Sequence, residues 1–408
     1  MRNSQKELME LPTPFYLFDE AECVSRALTI KQAVKAWNGR ICFAIKANPF
    51  LIPSLMPVVD KFEVCSPGEL DICRKYKVPG EKILFSGVVK TKKDIEKAIL
   101  YPVDVITLES VYHWELLKEI LKERGRNQIN IKIMPRLSSG AQFGMEKNDI
   151  CSILEECRSM NEVSVEGIHY FTGTQKKGRQ YEKELNLVLD FMGELHDKFE
   201  MENGILEYGP GLATPYFAGD DFEHPYELVH NLQEFLLQKR PHWRVDIELG
   251  RYIAATCGSY VTSVVDVKSV EERKYCLVDG GIHQVNYYGS NMAMRTPVIR
   301  HLKRESGKVD KAVVYQQDME SVAQIGQEYM VCGSLCTFAD ILARGLVLKN
   351  PQIGDRLVFE NIGAYSVTEG SYLFLSHNLP SIYLINSDGE IRQLRKEQES
   401  WKINCIDE

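Results

Sequence analysis

The stretch Ile41-Cys42-Phe43-Ala44-Ile45-Lys46-Ala47-Asn48-Pro49 decides the fold. Its first five residues form a short apolar run, stopped by a lysine and an Asn-Pro step, which reads as a buried strand of a parallel sheet. Similar β-rich runs alternate with amphipathic helical stretches from about residue 40 to 250. Eight strands are expected, beginning near Ile41–Ile45, Phe62–Cys65, Ile83–Ser86, Asp104–Leu108, Ile129–Arg136, Val163–Tyr170, Gly204–Tyr208 and Val245–Glu248. Helix starts lie between them. Ser66 can cap, Pro67 suits the first turn, and Glu69 stands where a capping box needs it; Thr91 with Asp94 repeats the device. Eight βα units close into a (β/α)8 barrel, whose chemistry gathers at the C-terminal ends of its strands. Lys46, Glu63, Arg136, Thr174, Gly209 and Glu248 fall at or just beyond those ends.

After about residue 258 strand-like runs dominate: Tyr260–Val267, Tyr275–Val278, Ala312–Tyr315, Tyr329–Cys332, Arg356–Phe359 and Ser381–Ile385, with a hairpin turn at Asp388-Gly389. The fold class is therefore α/β: a (β/α)8 barrel over residues 29–258, similar in plan to that of alanine racemases, followed by a β-sandwich or barrel-like domain over 259–408. Residues 1–28 join the β domain, because Pro14–Phe18 has strand composition yet precedes the barrel.

At 408 residues the chain can bury a large core. Its net charge of -8, with no long Lys/Arg run, argues against nucleic acid or an anionic membrane as partner. Eleven scattered cysteines with no C-x-x-C pair suit free thiols in a reducing compartment and make zinc an unlikely guest. The start, Met1-Arg2-Asn3-Ser4-Gln5-Lys6-Glu7, has no apolar h-region, and no apolar run is long enough to span a bilayer, so a cytoplasmic location is expected.

A lysine that ends a buried strand lowers its pKa or finds chemistry that uses the amine, and a Schiff base to a cofactor aldehyde does both. Lys46 alone would read as a strand-end lysine reaching solvent. Gly209-Pro210-Gly211, Glu248-Leu249-Gly250-Arg251, Cys336 and Gly363-Ala364-Tyr365 change that reading to a pyridoxal phosphate site. The glycine turn lets backbone N–H groups approach a phosphate, although an ordinary turn has the same composition. Glu248 can hold a pyridine nitrogen protonated or form a rim salt bridge with Arg251. Arg251 suits a bidentate phosphate contact, and Tyr365 can add one hydrogen bond. Cys332 and Cys336 have C-x-x-x-C spacing but no companion pair, so no metal is assigned. Cys336 is equally suited to proton transfer and to packing.

In this order the motifs resemble those of the fold-type III pyridoxal phosphate decarboxylases, the group of diaminopimelate, ornithine and arginine decarboxylases. The resemblance runs from Thr13-Pro14-Phe15-Tyr16 to beyond Gly-Ala-Tyr. It implies that Lys46 forms the Schiff base and Glu248 pairs with the pyridine nitrogen. It assigns Gly209, Gly211, Arg251, Thr174 and Tyr365 to the phosphate, and Glu63 and Arg136 to support of the cofactor and its lysine. Cys336 matches the residue that reprotonates the α-carbon across a homodimer interface with shared active sites.

Three departures bear on the substrate. In Gly167-Ile168-His169-Tyr170-Phe171-Thr172-Gly173-Thr174-Gln175 the family's ring-stacking histidine falls at Phe171, which can still stack on the ring, and His169 reads as a core histidine. Thr337 stands where the family carries Glu or Asp to hold a distal amine, so lysine, ornithine and diaminopimelate become poorer candidates. The arginine segment expected after Asp279-Gly280-Gly281 is replaced by Ile282-His283-Gln284-Val285-Asn286-Tyr287-Tyr288, for which Arg295 is a candidate substitute. These features look like the butirosin-pathway branch, which decarboxylates a glutamyl group tethered to an acyl carrier protein. The expected activity is an amino-acid α-decarboxylase, a carboxy-lyase, acting on a substrate without a free distal ammonium. Diaminopimelate decarboxylation, racemisation, and non-catalytic cofactor binding are the alternatives.

Overall fold

In the computed structural model, residues 7–124, 130–287, 293–304 and 326–406 are described. An N-terminal strand β1 (Phe15–Asp19) precedes the barrel strands β2 (Ile41–Ala44), β3 (Lys61–Val64), β4 (Ile83–Phe85), β5 (Val105–Leu108), β6 (Ile131–Pro135), β7 (Val163–Val165), β8 (Gly167–Phe171), β9 (Ile205–Gly209) and β10 (Arg244–Leu249). The nine barrel segments form one sheet in the order β7-β6-β5-β4-β3-β2-β10-β9-β8. All their pairings are parallel.

Eight strands were expected and nine segments are found, because the run Val163–Tyr170 breaks at Glu166. Its first half pairs with β6 and its second half with β9. The break lets β8 swing back, where an Arg136↔His169 bridge closes the ring. Gly167 permits this: its φ is +152°, and a Cβ there would drive into the carbonyl of Ile205. Ile129 of the expected fifth strand lies outside the described residues.

Cys42, Leu84, Val105, Met134 and Ile205 form one apolar layer in the barrel interior. Two residues further along each strand the pleat returns to the interior, at Ala44, Ser86, Thr107, Arg136 and Glu207, all buried. The floor is thus apolar, and apart from Ala44 these next positions are polar. Outside, helices cover the sheet with one face. Helix Tyr181–Phe199 buries Tyr181, Leu185, Val188, Met192 and Leu195, the 3.6-residue repeat of an amphipathic helix. Thr91 and Asp94 close the expected capping box. Ser66 caps Glu69 N, but the Glu69 carboxylate turns to the N–H of Cys65 rather than that of Ser66.

The chain divides into two units, Val24–Thr214 with His224–Ile253, and Met1–Cys23 with Pro215–Glu223 and Ala254–Glu408. Among the described residues the second unit holds a nine-stranded mixed sheet of β1 with β11 (Gly258–Val270), β12 (Arg273–Val278), β13 (Ile299–Leu302), β14 (Gln327–Cys332), β15 (Ile341–Leu348), β16 (Arg356–Phe359), β17 (Ser381–Ile385) and β18 (Ile391–Arg395). β1 pairs antiparallel with β11 and parallel with β17, and Phe15 meets Tyr383 edge-on at 5.3 Å. Strands β13, β15 and β18 escaped the sequence reading because Arg300, His301, Arg344, Gly345, Arg392 and Gln393 interrupt their apolar pattern. The expected strand Ala312–Tyr315 lies outside the described residues, as does Tyr288.

Gly167→Ala is expected to destabilise the barrel by about 1–3 kcal/mol, the cost of a forced backbone conformation. Equilibrium denaturant unfolding checks this; an unchanged midpoint would show that β7 and β8 join without strain.

Candidate active site

β2 ends at Ala44, and the backbone tightens into a single 3₁₀ turn, Ile45–Ala47, so Lys46 projects from a turn one step past the strand rather than from the strand itself. Asn48 caps the next turn through its side chain, which accepts from Phe50 N at 3.1 Å. The Lys46 ammonium lies 2.8 Å from Glu63 Oε2, 3.1 Å from Glu63 Oε1 and 3.7 Å from Glu248 Oε1. Its side chain is 36% exposed, whereas those of Glu63 and Glu248 are 2% and 5% exposed, so the amine is open to a ligand and its counter-charges are not.

Glu63 has further donors in Ser86 Oγ and Cys65 Sγ, each at 2.8 Å. Burial, then the Glu63 charge, pushes the Cys65 thiol well above its usual range, so it serves as a neutral donor. Glu248 accepts from His169 Nε2 at 3.1 Å. Burial would raise its carboxyl, but Lys46, the His169 hydrogen bond and Arg136 pull it down to about 2. The core reading of His169 is therefore corrected: it is buried, but as the partner of a site carboxylate.

On the other side of the mouth, Arg136 Nη1 pairs with Glu109 at 2.8 Å and its guanidinium lies over the Phe143 and Phe171 rings at 5.1 and 5.9 Å. Arg136 Nε is buried with no hydrogen-bond partner among the described residues. Lys90 is buried beside them, donating to Gly87 O at 2.6 Å; burial lowers its ammonium to about 8 against the opposing pull of Glu109.

Gly209 ends β9 and Gly211 follows in a left-handed turn at φ +59°, where a Cβ would strike the carbonyl of Gly173. The two loops are stitched together. Lys176 N donates to Gly211 O at 2.9 Å, and the Gln175 amide clasps the Thr214 backbone at 2.7 and 3.1 Å. This leaves Gly173 and Thr174 facing Gly209-Pro210-Gly211 as a backbone cradle suited to an anion. Arg251 opens the short helix Arg251–Ala254 directly after β10. An exposed amine, two buried carboxylates, a glycine cradle and an orphaned guanidinium nitrogen together fit a phosphorylated aldehyde.

The profile of the family "Pyridoxal-dependent decarboxylase, pyridoxal binding domain" matches residues 20–255. The chain belongs to the pyridoxal-dependent decarboxylases. An L-glutamyl-(BtrI acyl-carrier protein) decarboxylase of Niallia circulans is 26% identical, covering 94% of this chain and 91% of that protein. A diaminopimelate decarboxylase of Campylobacter jejuni is 25% identical over 95% of this chain and 94% of its own length. In fold, the chain matches the Methanocaldococcus jannaschii diaminopimelate decarboxylase with a TM-score of 0.84 at 21% identity, over 99% of this chain and 94% of that one. The decarboxylase is thus a carboxy-lyase with pyridoxal 5'-phosphate as cofactor. Among the described residues no helix is long and apolar enough to cross a membrane.

Of the residues named from sequence, the barrel unit of the decarboxylase holds Lys46, Glu63, Arg136, Phe171, Thr174, Gly209, Gly211, Glu248 and Arg251. The β unit carries the others. Tyr365 sits at φ +69° and its carbonyl accepts from Thr368 N and Glu369 N. Cys336 and Thr337 are exposed on a loop held by Asp340, which accepts from Leu335 N at 2.7 Å and Ile282 N at 2.8 Å. Arg295 pairs with Asp220 at 2.6 Å and lies over the Phe217 ring at 4.1 Å. Sequence reading missed Cys65, Ser86, Lys90 and Glu109; each stands at or beyond a strand end already placed at the mouth, and that position was the available signal.

Because Glu248 is held below its ordinary value of 4.5, the stability it contributes is complete above that pH and lost as pH falls towards about 2. Glu248→Gln is expected to flatten this acid-side loss in denaturant melts of the cofactor-free protein. An identical pH slope in the variant would place the acid sensitivity elsewhere.

Proposed function

We propose that this decarboxylase removes the α-carboxylate of an amino-acid derivative with no free distal ammonium, a carrier-tethered glutamyl group being the favoured member of that class. Thr337 carries this reading. It supplies a neutral hydroxyl, which accepts from Ala339 N at 3.3 Å, where the family's acid would pair an ammonium. Two relatives support it by name: the glutamyl-carrier decarboxylase, and a 2-[(L-alanin-3-ylcarbamoyl)methyl]-2-hydroxybutanedioate decarboxylase of Staphylococcus aureus, 25% identical over 85% of this chain. The first name describes a glutamyl group joined to a carrier and the second an amino acid whose side-chain amine is acylated, so neither printed substrate offers a free distal ammonium.

In this reading Lys46 is the amine that would hold the cofactor. The cofactor, once bound, supplies an aldehyde for the substrate's amine and an electron sink for the bond that yields carbon dioxide. Glu63 holds the Lys46 ammonium oriented, and Glu248 would hold a proton on the pyridine nitrogen. Phe171 would pack on the ring, Arg136 would steady the mouth, and Gly209, Gly211, Thr174, Arg251 and Tyr365 would hold the phosphate. Cys336, offered across a homodimer interface, delivers a proton to the α-carbon. Arg295, whose Nη2 pairs with Asp220, would offer its remaining N–H groups to the substrate's distal carbonyl or carboxylate. An acyl carrier protein is then the macromolecular partner.

Lys46→Ala is expected to remove the visible absorbance of the bound cofactor and all carbon dioxide release. With the wild-type enzyme, mass spectrometry should show decarboxylation of glutamyl-carrier or distally acylated substrates and little of diaminopimelate. Thr337→Glu should raise turnover of diaminopimelate by about tenfold or more, the usual worth of one matched charge. Efficient wild-type turnover of diaminopimelate would overturn the substrate assignment, and enantiomer interconversion without carbon dioxide would replace it with racemisation.

A further inference from the structure

Behind Glu248 the barrel interior contains three buried polar atoms that no conventional hydrogen-bond partner reaches among the described residues: His169 Nδ1 and both carboxyl oxygens of Glu207. Such groups are rare in folded proteins and call for a physical account. His169 and Glu207 are register partners in the parallel pairing of β8 with β9, so their side chains leave the same face from Cα atoms about 4.8 Å apart.

The other charged groups on these walls are already engaged. Asp246, the register partner of Glu207 on β10, takes both its oxygens to Arg244 at 2.9 and 3.0 Å. Lys61 of β3 pairs with Asp104 at 2.7 Å, Glu63 holds Lys46, and Arg136 of β6 pairs with Glu109. The Cys42 thiol of β2 is the one donor that reaches Glu207 among the described residues of these walls, and a thiol is a weak one. Burial, then Asp246, drives the Glu207 carboxyl well above its usual range, with Lys61 opposing, which favours its protonated form. The ionised Glu248 can only accept, so His169 Nε2 bears the hydrogen between them and Nδ1 is left to find its own partner.

We propose that one water joins Glu207 to His169 Nδ1, making Glu207, the water, His169 and Glu248 a single proton-sharing chain that ends at the carboxylate facing Lys46. The donors run in one direction: Glu207 O–H to water, water to Nδ1, Nε2–H to Glu248. A concerted shift breaks the Glu207 O–H bond, passes one proton through each link and forms a Glu248 O–H bond. Net charge is conserved and no outside reagent is needed. His169 is the positioning residue of this chain and Glu207 its proton reservoir. The consequence for catalysis rests on the proposed pairing of Glu248 with the pyridine nitrogen: the chain would buffer the proton held there.

The test uses histidine ¹⁵N NMR on the full-length cofactor-free protein, with the His169 signals identified by their loss in His169→Asn. In the wild type, Nε2 should carry the hydrogen and Nδ1 should show the shift of a hydrogen-bonded acceptor. Glu207→Leu should move Nδ1 to the value of a free acceptor. Glu207→Gln, which keeps a donor but no exchangeable acid proton, should preserve the Nδ1 shift and remove the linked titration step from the His169 signals. Should Glu207→Leu fail to fold, the Gln variant alone decides through that lost step. Unchanged His169 signals in both variants would overturn the proposal. A visible spectrum of the bound cofactor that Glu248→Gln leaves unaltered would instead sink the pyridine-nitrogen assignment alone, since the NMR readings do not involve the cofactor.

Discussion

An ammonium held between two buried carboxylates is the interaction on which this barrel is organised. A carboxylate taken out of water costs several kcal/mol unless it is paired and hydrogen-bonded. Glu63 meets this with Lys46, Ser86 and Cys65, and Glu248 with Lys46 and His169. Loss of that amine would leave two buried carboxylates in need of another cation. The site thus favours exchange of one cation for another over loss of either.

That juxtaposition depends on backbone choices well away from the lysine. The Glu166–Gly167 break lets β8 rotate so that His169 faces Glu248 while Phe171 lies against Gly209. Gly250 lets the end of β10 pack on Ala44 and Ala47, whose Cβ atoms would stand 3.3 and 3.0 Å from any Cβ added there. Small residues at these crossings bring three strand ends close enough for one amine to feel two carboxylates.

The sequence was most legible where a single local rule decides the outcome. Continuous apolar runs gave the barrel strands, because parallel strands are buried on both faces; Thr91 and Asp94 gave a helix start. It was less legible where the outcome depends on which strand lies next door. His169 could not be told from an ordinary core histidine without knowing that Glu248 sits on the opposing wall, and Arg295 reads as an available guanidinium until Asp220 is seen beside it. In the β unit, β18 has the sequence Ile-Arg-Gln-Leu-Arg, whose charged residues hide a strand that exists because β17 is there to pair with it.

Barrels of this architecture usually fill their interior with branched apolar side chains. Here Cys42, Leu84, Val105, Met134 and Ile205 supply one apolar cluster, and Glu207, Glu248, Glu63, Arg136 and His169 are buried in the same barrel. Polar groups at these positions oppose stability, which the apolar layer and the amphipathic outer helices must offset. The conflict between what folding favours and what is present is greatest at Glu207, which is fully buried yet neither apolar nor ion-paired. Local rules broken this deep in a core are the places where function, rather than folding, has chosen the residue.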